Sequence, residues 1–396
     1  MKRILWIKAD FLHPTTRGGQ IRSLEILRRL HQRHEVHYIG FEDPSSPEGV
    51  ARSSEYCSFA YPLQHRVPDK ASLAFVGQLI AGVFSRLPVA VSRYRSDAMR
   101  EQIRKLTAQH SFDAIVCDFL FPAPNLPDLA SATVFQHNVE TMIWERHTKH
   151  APTLAHRLYF GLQARRMREF EGRICRQVKQ VIAVSDNDAE TMRRLYQVSR
   201  VCPVPTGVDV DFFAPPSSSP ALADLVFLGS MDWMPNIDGV SWFVREILPR
   251  IRRSKPGCSV AVVGRKPTAA VRELAERDRA IHVTGTVDDV RPWLWGSQIS
   301  IVPLRVGGGT RLKIYEAQAA RVPVVSTLVG AEGLGVEHGT HLLIADEPDA
   351  FADACLALLA REAECRRLAD AAWNLVSSRF SWETVCCAFE RCLGFM

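Results

Sequence analysis

Long apolar runs are missing from this chain. At the N-terminus, Met-Lys-Arg leads into Ile4-Leu5-Trp6-Ile7-Lys8, and four apolar residues in a row are too few for the core of a secretory signal. The most membrane-like stretch, Ala71 to Val91, is interrupted by Gln78, Arg86 and Pro88, which argues against a spanning helix. It reads instead as an amphipathic helix, packed on a core or touching a membrane surface. Long Lys/Arg runs are missing too. The formal charge of +6 therefore fits small anions or an anionic membrane surface, and no nucleic-acid partner is expected. The ten cysteines contain no CxxC pair and no His/Cys cluster at zinc spacing, while Cys386 and Cys387 are adjacent and poorly placed to bridge each other. The expectation is reduced thiols, no metal site and a cytoplasmic location.

What is present is the grammar of an α/β protein, written twice. A length of 396 residues suits two cores, and 46% hydrophobic with 23% charged residues is ordinary globular composition. Short apolar, β-branched runs occur at Ile4–Ile7, Val36–Phe41, Ala114–Cys117, Ala132–Gln136, Val181–Val184 and Val201–Pro205. Runs of this kind suit parallel strands buried on both faces. Helical patterns lie between them at Gln20–Gln32, Asp97–Gln109, Ala155–Gln177 and Asp188–Tyr196. After the turn-rich Pro215-Pro216-Ser217-Ser218-Ser219-Pro220 the pattern restarts. Its strands are Leu225–Leu228, Ser259–Val263, Ile281–Thr284, Ile299–Pro303, Pro323–Ser326 and Leu342–Ala345, with helices at Gly239–Ile251 and Thr268–Asp278. The reading is two Rossmann-like, doubly wound domains, 1–207 and 208–377. A C-terminal helix, 378–396, follows and is free to pack back on the first domain. Such sheets bind ligands at the carboxyl ends of their strands, so a cleft between the two is the expected site.

The richest chemistry lies in Val302-Pro303-Leu304-Arg305-Val306-Gly307-Gly308-Gly309-Thr310-Arg311-Leu312-Lys313-Ile314-Tyr315-Glu316. The order is strand, glycine loop, helix. Gly307, Gly308 and Gly309 let the backbone approach an anion, and the helix start offers unpaired N–H groups and a positive dipole end. Arg311 and Lys313 add cationic donors there. Glu316, one helical turn on, is positioned to accept bonds from ribose hydroxyls. The alternative is a packing turn with Lys313 and Glu316 as an i,i+3 surface pair. In the first half, His13-Pro14-Thr15-Thr16-Arg17-Gly18-Gly19-Gln20 again sets glycines at a helix start, but it is not GxGxxG and so counts against a dinucleotide cofactor. His137 follows what reads as the fourth strand. Asp118 and Ser185 stand at similar strand ends, and Arg93 and Arg95 are candidates for an anionic acceptor, or plain surface charges.

Pro303–Ala320, with Val322-Pro323-Val324-Val325-Ser326-Thr327 and Gly330-Ala331-Glu332-Gly333-Leu334, resembles the donor region of glycosyltransferase family 4. Phe227-Leu228-Gly229-Ser230-Met231 followed by Pro235-Asn236 resembles that family's first donor-side loop, and Val204-Pro205-Thr206-Gly207-Val208-Asp209 its interdomain crossover. The resemblance implies the GT-B fold and metal-free transfer, with retention, from a nucleotide-sugar donor. Gly229, Gly307, Gly308, Gly309, Thr310 and Glu316 would hold the donor, with Arg311 and Lys313 on the diphosphate. His137 would stand near the transferred sugar, and Gly18 and Gly19 near the phosphates or the acceptor. Two features depart from the family. Gly308 replaces the first of two glutamates with seven residues between them, Glu316 being the second. The loop Ser230–Asp238 lacks the family's frequent Arg and Lys, for which Arg311 and Lys313 are substitutes.

No acid and base pair stands out, which fits catalysis by positioning and charge stabilisation. The expected acceptor is a glycan or lipid-linked unit of surface polysaccharide, with at most weak peripheral membrane contact and no cofactor. Two alternatives stay open: a sugar-nucleotide epimerase of the same fold, and a non-catalytic nucleotide-sugar-binding protein.

Overall fold

The computed structural model describes residues 1–15, 18–65, 85, 87–149, 151, 153–306 and 311–395. The chain divides into two compact units. Residues 1–205 and 385–396 make the first, and 206–384 the second.

The first unit is built on seven parallel strands: β1 (Arg3–Ile7), β2 (Glu35–Phe41), β3 (Phe59–Leu63), β4 (Ala114–Asp118), β5 (Ala132–Gln136), β6 (Gln180–Ala183) and β7 (Val201–Pro203). Their spatial order is β3-β2-β1-β4-β5-β6-β7. Ile4, Leu5, Trp6 and Ile7 are wholly buried, as a central strand covered on both faces requires. β3 escapes the sequence pattern because it is a half-exposed edge strand carrying Pro62, whose missing N–H only an edge tolerates. His137 therefore follows the fifth strand, not the fourth. The register brings the strand ends level: Ile7 pairs with Ile39 and Cys117, and Asp118 pairs with Phe135.

Residues 385–396 close this unit. Phe389 stacks on Trp6 at 5.6 Å and meets Phe135 edge-on at 5.1 Å. Glu390 accepts from Arg33 at 2.7 Å and pairs with His34 at 2.8 Å. Cys202 on β7 and Cys392 are joined in a disulfide, which corrects the expectation of reduced thiols throughout; the other eight cysteines form no disulfide.

The second unit repeats the plan with six parallel strands: β8 (Ala223–Leu228), β9 (Val260–Val263), β10 (Ile281–Gly285), β11 (Ser297–Val302), β12 (Val324–Ser326) and β13 (Leu343–Ile344). The order β10-β9-β8-β11-β12-β13 matches that of the first six strands of the other unit. In each sheet the order reverses beside the first strand, between β1 and β4 and between β8 and β11. That is where an open parallel sheet leaves room for a ligand. The helix expected over Gly239–Ile251 runs from Met234 to Ser254, with a π turn at Phe243–Ile247 just before Pro249, which has no N–H to keep the α pattern. No helix among the described residues is long and apolar enough to cross a membrane. Residues 71–84 and 86 of the Ala71–Val91 stretch lie outside the described residues.

Candidate functional site

In the second unit the chemistry converges on the carboxyl end of β8. A Cβ on Gly264, after β9, would lie 1.7 Å from the Gly229 carbonyl oxygen, and one on Gly229 would lie 2.6 Å from the Asn236 amide and 2.9 Å from Lys313 Nζ. Glycine at 264 is what lets the two strand ends meet, because the clash there is with backbone, whereas at 229 the near atoms are side-chain ends. Lys313, in the first turn of the helix Leu312–Ala319, donates to Asn236 Oδ1 at 2.9 Å and lies 4.4 Å over the Phe227 ring. Asn236 in turn donates to the Ser230 carbonyl at 2.9 Å. Arg265 Nε donates to Ser230 Oγ at 2.8 Å, and the Arg311 guanidinium sits 5.6 Å from the Trp233 ring centre. Three cations thus gather about residues 230–236, a stretch with none of its own.

Burial, reinforced by the charge of Arg311, holds the Lys313 ammonium down to about 7, while burial pushes the Glu316 carboxyl up to about 7 against the pull of Lys313. Each charge is costly here, and an anion beside Lys313 would stabilise its ammonium form. Gly307, Gly308, Gly309 and Thr310 lie outside the described residues. Beside them Arg305 bonds Asp238 at 2.5 Å and, with Trp242, Asp346 and Glu347, lines a groove of about 580 Å³.

In the first unit His137 belongs to a buried network at the β1/β4 switch point. Its Nε2 lies 2.7 Å from Asp118 Oδ1 and its Nδ1 3.0 Å from Arg22 Nη1. The carboxylate only accepts and the guanidinium only donates, so the ring is neutral with its proton on Nε2. Burial, with Arg22 and Lys8 nearby, holds its value near 3 despite Asp118. Asp118 also accepts from Trp6 Nε1 at 3.0 Å and Ser23 Oγ at 2.5 Å, and pairs with Lys8 at 3.0 Å. Burial opposes its charge, but Lys8 and His137 more than offset that and keep the carboxyl well below the ordinary range. Phe119 stacks on His137 at 3.9 Å, and Gly19 packs so close that a Cβ there would come within 2.8 Å of the Phe119 ring. Gly18 begins the same helix, Gly18–Arg33, and is exposed. Alongside, Asp10, His13, Gln20, Asp43 and Ser46 line a cavity of about 290 Å³.

Residues 16–212 match the family model described as "Glycosyltransferase Family 4", and residues 223–361 the one described as "Glycosyl transferases group 1". The chain belongs to the glycosyltransferases. It is 21% identical over 368 residues, 89% of each chain, to an uncharacterized 44.6 kDa protein in the cps region of Klebsiella pneumoniae. It is 30% identical over 254 residues to D-inositol 3-phosphate glycosyltransferase of Xylanimonas cellulosilytica, spanning 56% of this chain and 59% of that enzyme. Among solved structures it superposes on HepE of Anabaena in complex with UDP and glucose, with a TM-score of 0.66, 13% identity and full coverage of both chains. The fold is GT-B.

Within this glycosyltransferase Gly229, Arg311, Lys313 and Glu316 belong to the second unit, and Gly18, Gly19 and His137 to the first. Sequence reasoning missed Arg265, Lys8, Arg22 and Ser23. Lys8 and Arg265 carried a signal, since each closely follows a strand, whereas Arg22 and Ser23 sit on an ordinary amphipathic helix. Ser185, a weaker candidate, caps the helix Asp186–Tyr196 by accepting from the Asp188 N–H at 3.0 Å. Among the described residues no group of three or more His, Cys, Asp or Glu side chains is arranged to hold a metal ion.

Proposed function

We propose that the enzyme moves a hexose or related sugar, with retention, from a nucleotide-sugar donor to a glycan or lipid-linked acceptor in surface-polysaccharide assembly. The observation that carries this is the gathering of Lys313, Arg265 and Arg311 about the cation-free end of β8. In this reading the donor diphosphate lies there and on the Gly307–Thr310 loop, and Glu316 takes the ribose hydroxyls. The HepE complex with UDP makes uridine nucleotides the first donors to try. As the bond from the anomeric carbon to the diphosphate oxygen breaks, the diphosphate gains a negative charge that Lys313 and Arg311 stabilise. The acceptor oxygen bonds the anomeric carbon on the same face, and its proton passes to the leaving diphosphate. His137, with both ring nitrogens engaged, orients groups near the sugar and exchanges no proton. The reading needs no metal or cofactor. It sets the enzyme in the cytoplasm, touching the membrane only peripherally.

Incubation with a panel of labelled nucleotide sugars tests it. Transfer, or slow donor hydrolysis, with the anomeric configuration kept and unaffected by EDTA is the expected result. Epimer formation or binding without turnover would replace the assignment. Loss on chelation with recovery on adding manganese would end the metal-free mechanism.

A further inference from the structure

The first two turns of the helix Leu154–Gln177 hold large apolar side chains in water. Leu154 is 72% exposed and Leu158 68%. Four residues apart, they share one stripe of the helix, which continues through Gly161 to Arg165, with Arg157 and Arg168 beside it. The opposite stripe, with Gln163, Met167, Phe170 and Ile174, is buried.

This helix packs antiparallel on the helix Glu140–Lys149. Thr148 lies by Gly161, the Trp144 and Phe160 rings are 6.3 Å apart, and Glu145 pairs with Arg168 at 3.7 Å. The shorter helix ends in Arg146 and Lys149, both exposed. Residues 145–169 hold six Arg and Lys against Glu145 and Glu169 alone. The hairpin therefore presents an apolar pair set in a cationic surround.

We propose that this hairpin is the surface by which the enzyme docks on an anionic lipid bilayer. It names the site of the peripheral membrane contact proposed above, and rests on that reading. Charge decides for lipid over a second copy of the chain, because two copies would bring like charges together, whereas anionic headgroups complement the arginines. Two leucines are also far too little for a stable protein interface, yet suffice to enter the acyl boundary while arginine stems lie along it with their heads in the headgroups.

Cosedimentation of the full chain with vesicles of phosphatidylcholine, with and without phosphatidylglycerol, tests the assignment. The wild type is expected to bind only the anionic vesicles, and less at high salt. Leu154→Ser with Leu158→Ser should weaken that binding about tenfold or more. Arg157→Gln with Arg165→Gln should weaken it similarly and remove much of its salt dependence. All four positions are exposed, so melting and donor hydrolysis should stay at wild-type values, which excludes misfolding as the cause. Wild-type binding with both variants equally bound would overturn the hairpin and leave membrane contact standing. No binding by the wild type would overturn both. A dimer that the leucine variant splits, with vesicle binding unchanged, would assign the face to a second copy instead.

Discussion

Lys313 occupies a place where a free ammonium is poorly tolerated. Burial and Arg311 hold it to about 7, so at pH 8 most molecules carry it neutral. A diphosphate beside it would reverse that balance by favouring the charged form. Binding of UDP at pH 8 should then take up to about one proton per molecule, because the group titrates below the working pH when empty and above it when occupied. Calorimetry in buffers of different ionisation enthalpy measures this, and Lys313→Met should abolish it. Zero uptake by the wild type would move the diphosphate away from Lys313. The same geometry makes a kinetic prediction. The charge on the diphosphate grows only as the sugar leaves, so Arg311→Gln with Lys313→Gln should lower kcat at least about a hundredfold while donor affinity falls less steeply. A fall in donor affinity with kcat unchanged would mean that the pair binds the ground state and the transition state alike.

At the scale of elements, one buried carboxylate organises the junction of four of them. Glu171, on the helix Leu154–Gln177, accepts the backbone N–H groups of Glu140 at 3.0 Å and Thr141 at 2.8 Å, which satisfies the start of the helix Glu140–Lys149. It also accepts from Thr141 Oγ1 at 2.7 Å, Tyr196 OH at 2.6 Å and Gln136 Nε2 at 3.1 Å. That shared acceptor holds the segment following His137 against the sheet. Glu171→Ala would leave all five donors buried without it, and should cost about 3 kcal/mol or more in urea unfolding. Tyr196→Phe removes one donor and should cost about 1 kcal/mol. A Glu171→Ala variant within about 0.5 kcal/mol of wild type would show that water replaces the carboxylate.

Over the whole molecule, the chain leaves the first unit at residue 205 and returns to it at 385. The returning segment brings Phe389, wholly buried, onto Trp6 and Phe135 in the central strands. Phe389→Ala should therefore destabilise the first unit by about 3–5 kcal/mol, the usual cost of an aromatic cavity. Hydrogen exchange reads the effect locally: amides of β1 and β5 should lose protection. If they keep it, the last helix is a passenger and Trp6 is covered by other side chains.

The sequence by itself determined the element types and most of their limits. Strands buried on both faces must be continuous apolar runs, and helices announce their starts with capping residues, as Ser96 does before Asp97–Gln109. It also named the loop, the cations and the histidine, because residue type alone restricts what those side chains can do. Tertiary structure decided which of them meet. β3 was illegible because a half-exposed edge strand with a proline carries no apolar signal. The network around Asp118 joins Trp6 to a partner 112 residues away, and the Cys202–Cys392 bond spans 190. Arg265 reaches Ser230 only because β9 lies beside β8. Periodicity records how one segment meets a core. Strand order and register, which set every one of these encounters, arise from packing between segments far apart in the chain.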